Sequence, residues 1–201
     1  MSTYYYKGSK ILAPLQITTN EPVFATDSVS LKQLRASQGA QRWEMTFSVL
    51  TNDGAADILL GSIDEIATAN TMVMPQLKEV DDRATQTSST APVSVAAAGG
   101  DTSVSVSVAS TSGTLPRGSF VKFSNHDKVY IVKQDVNFSG TGSAVVEVYP
   151  PLNTALTTSD QLAMGSSVNF TYFRSVDNIS GITYQDGILA EAGAITLIEA
   201  V

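Results

Sequence analysis

Residues 118–132, written GSFVKFSNHDKVYIV, predict a β-hairpin. Two short runs rich in β-branched and aromatic residues flank the polar stretch at residues 124–127. Alternation of this kind, broken by Ser, Asn and Asp, is typical of two antiparallel strands joined by a turn. Pro116 and Gly118 mark the corner where the chain enters the hairpin. The centre of the chain is therefore predicted to be β structure.

The composition is that of a globular protein rich in strands. Hydrophobic residues make up 43% and charged residues 15% of the 201 positions, and Ser, Thr, Ala and Val are abundant. This balance favours β structure and provides enough apolar surface for one large domain or two small ones. Because the chain has no cysteine, disulfides and thiolate metal sites are excluded.

The net charge of -7 argues against binding of nucleic acid through a basic surface. An acidic surface keeps a protein soluble, and it also repels a polyanion that has to pass without sticking. No apolar run approaches the ~20 residues that span a bilayer, and the opening sequence MSTYYYKGSKILAP lacks the apolar core of a signal peptide. We therefore expect synthesis and folding in the cytoplasm.

Two runs in the first quarter of the chain predict strands. Residues 28–35 and 41–50 are separated by a turn that contains Gly39, and we expect them to pair antiparallel. In the second run every other residue is apolar, and this apolar set is Trp43, Met45, Phe47 and Val49. One face of this strand is therefore predicted to be core, and the other to meet water or a partner.

The periodicity then changes to that of a helix. Apolar side chains recur at i, i+4 and i+7, namely Leu59, Ile63 and Ile66. This spacing predicts an amphipathic helix over about residues 53–69, whose apolar stripe covers one open face of the sheet. The acidic residues along it are expected on the solvated side; they are Asp57, Asp64 and Glu65.

The second half of the chain predicts another β module. Residues 85–92 (TQTSSTAP) are small and polar and predict a linker. In residues 104–108 valines alternate with serines, and residues 144–149 predict a strand beyond the hairpin. Residues 157–167 are loop-like and would form the connection that leads from this module to the last strands of the chain.

Two closing strands are predicted at residues 168–173 and 194–199. Two strands are too few to form a stable sheet in water, so the economical solution is that they pair with the N-terminal strands. We therefore predict one discontinuous domain, residues 1–88 plus 168–201, interrupted by a small inserted β-barrel at about 92–165.

Residues that could carry chemistry are sparse. His126 is the only histidine, which excludes a multi-histidine metal site, and no nucleophile elbow accompanies it. Glycine-bearing stretches lack the lysine and the following helix of a phosphate-binding loop. We therefore predict no catalytic, metal-binding or cofactor-binding residue, and a structural or binding role rather than an enzyme. A hydrolase that uses Asp57 or Asp64 in a carboxylate pair is the alternative.

Three segments of residues 93–152 resemble a known module: VSVAAAGGDTSV, SGTLPRGSFVKFSNHDKVYIV and VVEVYPPL. They resemble the inserted OB-fold-like domain of distal tail proteins from long-tailed bacteriophages. In that family a loop ending in glycine leads to an F-K-F-type strand, an N-H or H-P turn, a K-V-Y strand and a strand ending in Y-P. Residues 41–47 (QRWEMTF) are similar to the aromatic strand that precedes the helix in the family's ring-forming domain.

The resemblance implies a mainly β fold, a tail-tube-like β-sandwich with one flanking helix that is interrupted by an inserted OB-like β-barrel. It implies a structural virion protein, without a cofactor, that forms a ring of six copies at the distal end of the tail tube and connects the tube to the tip or baseplate. Expected partners are further copies of the chain, the tail tube protein on one face, a tip, hub or baseplate protein on the other, and a host glycan at the barrel. Viral DNA would only pass through the channel, and no membrane would be bound. The ring would assemble in the host bacterial cytoplasm and end in the virion tail.

Two other classes share parts of this pattern. Another ring of a contractile-tail baseplate, or a tail tube or terminator protein, would have the same tube-like sandwich. A glycan-binding module would use one face of the barrel. That function needs several exposed aromatic side chains. The barrel segment offers Tyr130, Tyr149 and its phenylalanines, and most of these are in core-like register.

Overall fold

The computed structural model describes residues 4–27, 33–37, 40–51, 55–176, 182–185 and 189–201. In these ranges the protein is mainly β, with curled antiparallel sheets and two short helices. In chain order the strands are β1 (Tyr5–Tyr6), β2 (Ser9–Asn20), β3 (Val23–Asp27), β4 (Gln33–Ser37), β5 (Arg42–Thr51), β6 (Asn70–Val73), β7 (Thr90–Pro92), β8 (Ser103–Ser107), β9 (Gly113–Leu115), β10 (Phe120–Phe123), β11 (Val129–Val132), β12 (Val136–Phe138), β13 (Ser143–Tyr149), β14 (Gln161–Met164), β15 (Asn169–Arg174), β16 (Ile182–Gln185) and β17 (Leu189–Glu199). The helices are α1 (Ala55–Asp64) and α2 (Lys78–Arg83).

The first sheet contains strands from both ends of the chain. Its strand order is β1-β2-β5-β17-β15-β6, and β16 also pairs with β17. β17 lies between β5 and β15, and its register with β5 is interrupted by an irregularity between Ala192 and Ile195. β1 and β6 stand at the two ends of this order and line one cavity of about 550 Å³. The sheet therefore curls around its core rather than lying flat.

β5 shows why this sheet has one buried face. The four apolar side chains predicted for that face, Trp43, Met45, Phe47 and Val49, are all buried. Arg42 and Leu50, on the opposite face, are exposed, because successive side chains of a strand point to opposite sides. Ile195 and Leu197 of β17 complete the same core. The predicted core face of this strand is confirmed.

α1 packs on this core through a face that the sequence did not predict. Ile58, Gly61 and Glu65 are buried, whereas the predicted stripe is exposed: Leu59, Ile63 and Ile66. The helix also ends at Asp64, earlier than the predicted residue 69, and residues 53 and 54 lie outside the described ranges. The predicted face was wrong because aliphatic spacing alone does not show which face finds partners in the sheet.

The second sheet has the strand order β7-β14-β10-β11-β13-β8. A bridge between Val93 and Val106, and a hydrogen bond from Ser94 N to Ser105 O at 2.9 Å, bring its two ends together. The sheet thus curls around a core of its own that includes Val104, Leu115, Phe123, Tyr130, Val146, Val148 and Leu162. In chain order, all six of these strands lie between β6 and β15 of the first sheet.

The predicted hairpin is formed by β10 and β11 and is a wall shared by both cores. Its face toward the second core carries Val121, Phe123, Tyr130 and Val132. Its opposite face belongs to the first core and carries Phe120, Val129 and Ile131. The indole of Trp43 meets the ring of Phe120 edge-on, with 5.4 Å between the ring centroids. This double contact explains why apolar residues occur on both faces of the hairpin.

The predicted pairing of residues 28–35 with residues 41–50 is wrong in the described part of the chain. β5 has β2 on one side and β17 on the other. Those strands have 12 and 11 residues and match the 10 residues of β5 in length, so both of its edges are filled. β4 instead pairs with β3 in a separate two-stranded sheet. Residues 28–32 lie outside the described ranges.

Two segments predicted as loops carry more structure than expected. Residues 85–92 run beside β9, with hydrogen bonds from Thr85 N to Thr114 O at 3.0 Å and from Thr87 N to Ser112 O at 2.9 Å, and end in β7. Residues 157–167 contain β14, which pairs with β10 and β7. Both strands have three or four residues, too few for alternation to be recognised.

Candidate functional site

A buried ion pair joins the two sheets. Lys128 precedes β11, Glu199 ends β17, and both side chains are buried. The Lys128 ammonium donates to the Glu199 carboxylate and, at 2.7 Å, to the backbone carbonyl of Gln41. Burial lowers the pKa of Lys128, and the neighbouring Glu199 carboxylate opposes that shift. Each charge is therefore compensated only while the two sheets stay together.

Glu199 also binds backbone groups from both sheets. Its carboxylate accepts hydrogen bonds from Val129 N at 2.7 Å and from Trp43 N at 3.0 Å. The indole N–H of Trp43 in turn donates to the carbonyl of Val129 at 2.8 Å. β5, β11 and β17 thus meet at one carboxylate, which fixes the register between the sheets.

Gln76 provides a second link across the junction. Its side-chain oxygen accepts from Phe120 N at 3.0 Å, and its side-chain amide donates to Phe120 O at 3.1 Å. Further along the hairpin, the ammonium of Lys122 donates to Asp127 at 2.7 Å, and the hydroxyl of Thr171 donates to the same carboxylate at 2.8 Å. The hairpin is therefore held at its start to the segment that follows β6, and near its turn to β15 of the first sheet.

A cleft of about 820 Å³ opens beside the Lys128–Glu199 pair. Its described lining is mostly apolar or amide, including Pro22, Pro150, Leu152 and Asn153, and contains no Ser, Thr, Cys or His. The ammonium of Lys128 is already engaged by two acceptors. The described lining therefore offers no Ser, Cys or His for acyl transfer, and it contains one carboxylate, Glu199, rather than the pair that glycoside hydrolysis uses. It also carries no aromatic ring on which a sugar could stack.

His126 lies in the hairpin turn. Its Nε2 is 2.7 Å from the hydroxyl of Tyr130, and its Nδ1 bonds the side chain of Asn125. Burial, and then the nearby Lys122, lower the pKa of His126. Burial raises the pKa of Tyr130 to about 12. These contacts give the imidazole a packing role, and no group of three or more potential metal ligands occurs among the described residues.

The lowered pKa of His126 predicts that the stability of the protein depends on pH. Since the unfolded chain has a histidine pKa near ~6.5, it takes up the proton at a higher pH than the folded protein does. His126 should therefore reduce the free energy of unfolding as the pH falls below about 6.5. Urea unfolding at several pH values would measure the slope, and His126→Gln should flatten it in that window. An unchanged slope in this variant would contradict the assignment.

Glu65 is buried, so its predicted solvated position is wrong. It accepts hydrogen bonds from the hydroxyls of Tyr6 and, at 2.8 Å, Tyr172, and Lys7 Nζ lies 2.9 Å from its carboxylate. Burial and the Glu65 carboxylate raise the pKa of both tyrosines. A usable signal was present in the sequence: Glu65 follows Ile58 by seven residues and hence shares its helix face.

The other carboxylates of the two helices lie at the surface. Asp57 and Asp64 are exposed on α1, and Asp81 and Asp82 are exposed on α2. Asp82 pairs with Lys78 one turn away, and such exposed i,i+4 pairs contribute a few tenths of a kcal/mol, ~0.3–0.5. None of these four carboxylates lines the cleft of about 820 Å³ beside the Lys128–Glu199 pair.

The outer edge of β2 is unpaired over most of its length among the described strands. β1 pairs only with Ser9 and Lys10, with one further hydrogen bond from Ile11 N to Tyr4 O. Past Ile11, no described strand pairs with this edge of β2, whose other side is filled by β5. Pro14 has no N–H to donate, so the continuous free row of this edge runs from Leu15 to Asn20. Such a row of N–H and C=O groups is a template for pairing with another chain.

No protein-family model matches the chain, and no curated protein does. Among the described residues, none of the helices has the length and apolar character needed to cross a membrane.

Proposed function

We propose that this chain is a structural protein of a bacteriophage tail and forms a ring, of six copies, at the distal end of the tail tube. The first sheet with α1 is then the tube-like sandwich, over residues 1–88 and 168–201, and the second sheet is the inserted OB-like barrel at about 92–165. One face of the ring binds the tail tube protein, and the other binds a tip, hub or baseplate protein. The role requires no catalysis.

The order of the strands supports this proposal together with the sequence resemblance. The chain begins the first sheet, completes the second, and returns to finish the first. That order matches the layout of strands, helix, insertion and closing strands that the resemblance implies. The net charge of -7 suits a channel through which DNA passes without sticking.

The observation that carries the proposal is the free outer edge of β2 beyond Ile11. Monomeric proteins usually cover, shorten or charge such an edge, whereas assemblies pair it with a neighbour. β3 and β4 follow directly and form a two-stranded sheet of their own, an arrangement that is marginal in water without a partner. In a closed ring every copy offers these surfaces to the next one.

Native mass spectrometry and negative-stain imaging of the purified protein test the proposal. We expect one closed oligomer, of six copies, with a central hole that also forms on the end of a tail tube. A strict monomer at every concentration, without binding to tube ends, would contradict it. If such a monomer bound oligosaccharides, the glycan-binding alternative would be favoured.

Lysines on the free edge should prevent assembly. Gln16→Lys combined with Thr18→Lys places two charges on β2 where a neighbouring strand would pair. Both positions are exposed, so we expect a folded monomer with unchanged circular dichroism. The matched control is Ser143→Lys with Val145→Lys on β13, an exposed pair with the same spacing that lies in the second sheet, where β13 pairs with β8. Equal oligomer yields from the two double variants would contradict a role of this edge.

A further inference from the structure

α1 exposes an apolar face that the described part of the chain leaves uncovered. Leu60 is 57% and Ile63 66% exposed, and Ile66 just after the helix is 38% exposed. The first two are three residues apart and lie together on the helix surface. A helix that packs on a sheet normally keeps its outer face polar. This face, defined by Leu60, Ile63 and Ile66, is named the helix patch.

The rim of the helix patch is acidic. Asp57 and Asp64 are exposed and lie three residues before and four residues after Leu60, hence on its side of the helix. Lys7, whose side chain passes beside Gly61 of α1, is held by the buried Glu65. Two helix patches facing each other would bring these carboxylates together, and like charges at close range are destabilising. The patch is thus suited to a surface that is apolar and basic.

The same chain carries such a surface beneath α2. A shallow groove of about 500 Å³ is lined by apolar side chains, among them Leu77, Val80, Ile131 and Tyr149. Leu77 is 57% exposed. The charged residues of the lining are Arg83, Arg117, Lys133 and Glu79. This surface is named the α2 groove.

The charge of the α2 groove complements the helix patch. Arg83 is paired with Asp135 at 2.8 Å, whereas Arg117 and Lys133 form no ion pair with any described residue. Asp135 also accepts a hydrogen bond from Arg117 N at 2.7 Å, and this bond, with the charges of Arg83 and Arg117, lowers the pKa of Asp135. Asp135 therefore offsets part of the positive charge, but the lining itself carries three cations against the single carboxylate of Glu79. Opposite charges at the rim of an apolar contact align the partners and exclude wrong ones.

We propose that the helix patch of one copy docks into the α2 groove of the next copy. The two surfaces share no residue, so the contact is heterologous and propagates from copy to copy until a ring closes. The inference rests on the proposed ring, because it names one of the contacts that would hold the ring together. The occupant of the helix patch is accordingly a second copy of this chain.

Two double variants, each with uncharged glutamine as the replacement, test the two sides of the contact. The helix variant is Leu60→Gln with Ile63→Gln, and the groove variant is Leu77→Gln with Lys133→Gln. Because all four side chains are exposed, folding should be unchanged by circular dichroism, and each variant should weaken self-association roughly tenfold or more. The matched control is Val145→Gln, which changes a 58% exposed side chain on β13 and should assemble like the unmodified chain.

Mixing the two variants gives the decisive measurement. Each variant keeps one intact surface, so a helix variant and a groove variant can form one intact contact. Native mass spectrometry should therefore detect roughly tenfold more mixed dimer than dimer of either variant alone at the same total concentration. Rings from both variants at the concentrations used for the unmodified chain would overturn this contact while leaving the proposed ring intact. If the unmodified chain never assembles, the ring itself fails. Loss of binding to anionic vesicles in the helix variant, with self-association unchanged, would assign the patch to a membrane surface and overturn the proposal.

Discussion

Replacing Glu199 with alanine is expected to lower the free energy of unfolding by about 3–5 kcal/mol. The substitution leaves the ammonium of Lys128 buried without its counter-charge, and it leaves Val129 N and Trp43 N without their acceptor. A buried unpaired charge and unsatisfied backbone donors are each costly in a medium of low dielectric constant. This loss should exceed that of any other single carboxylate removal proposed for this chain.

Urea unfolding monitored by tryptophan fluorescence would measure this effect, since Trp43 is the only tryptophan and lies at the junction. The control is Glu147→Ala, because Glu147 is a partly exposed carboxylate on β13 that accepts from Gln134 at 2.9 Å. We expect that control to cost less than about 1 kcal/mol. Lys128→Met combined with Glu199→Gln removes both charges but keeps an acceptor, and it should be more stable than Glu199→Ala. A cost for Glu199→Ala no larger than that of the control would contradict the role of the pair.

Replacing Gly113 with alanine is the second substitution for which we expect a large loss, about 2–4 kcal/mol. Gly113 has a φ of +98°, and a Cβ there would lie 2.2 Å from the carbonyl oxygen of Thr85. Thr85 cannot easily retreat, because its N–H donates to Thr114 O at 3.0 Å and its hydroxyl accepts from Thr114 N at 2.9 Å. Both backbone strain and steric overlap therefore act at one position.

Gly140→Ala separates these two causes. Gly140 has a φ of +84°, but a Cβ there would meet nothing within 4 Å. We expect this variant to lose only the conformational part, about 1 kcal/mol. Thermal or urea unfolding of both variants would give the difference, which measures the close approach of residues 85–92 to β9. Equal losses of unfolding free energy in the two variants would show that residues 85–92 move away from the new side chain, as a flexible linker would.

The sequence was most informative where alternation was long or dense. β5 was predicted with its correct core face because four apolar side chains repeat at period two over one run. The hairpin was also predicted correctly, since its turn chemistry and its strands agree. β14 was missed because only Leu162 and Met164 alternate there, and a strand of this length resembles a loop.

The buried face of α1 and the Lys128–Glu199 pair between the two sheets depend on tertiary contacts, which a local sequence pattern does not predict. Glu65 turns inward because two tyrosine hydroxyls from distant strands meet it, and this reverses the face that aliphatic spacing favours. Lys128 and Glu199 are 71 positions apart, so their pairing follows from tertiary structure. One hint was available, because Glu199 continues the period-two series of Ile195 and Leu197, a series that is otherwise apolar.

The hairpin formed by β10 and β11 contributes to both cores. It therefore limits how freely residues 92–165, which form the second sheet, could be exchanged between proteins. A graft that replaced residues 92–165 would have to restore Phe120, Val129 and Ile131, because they are part of the other core. It would also have to supply a cation where Lys128 meets the carboxylate of Glu199. We therefore expect related proteins to differ in the other strands and loops of residues 92–165, and to retain the face of β10 and β11 that packs on the first core.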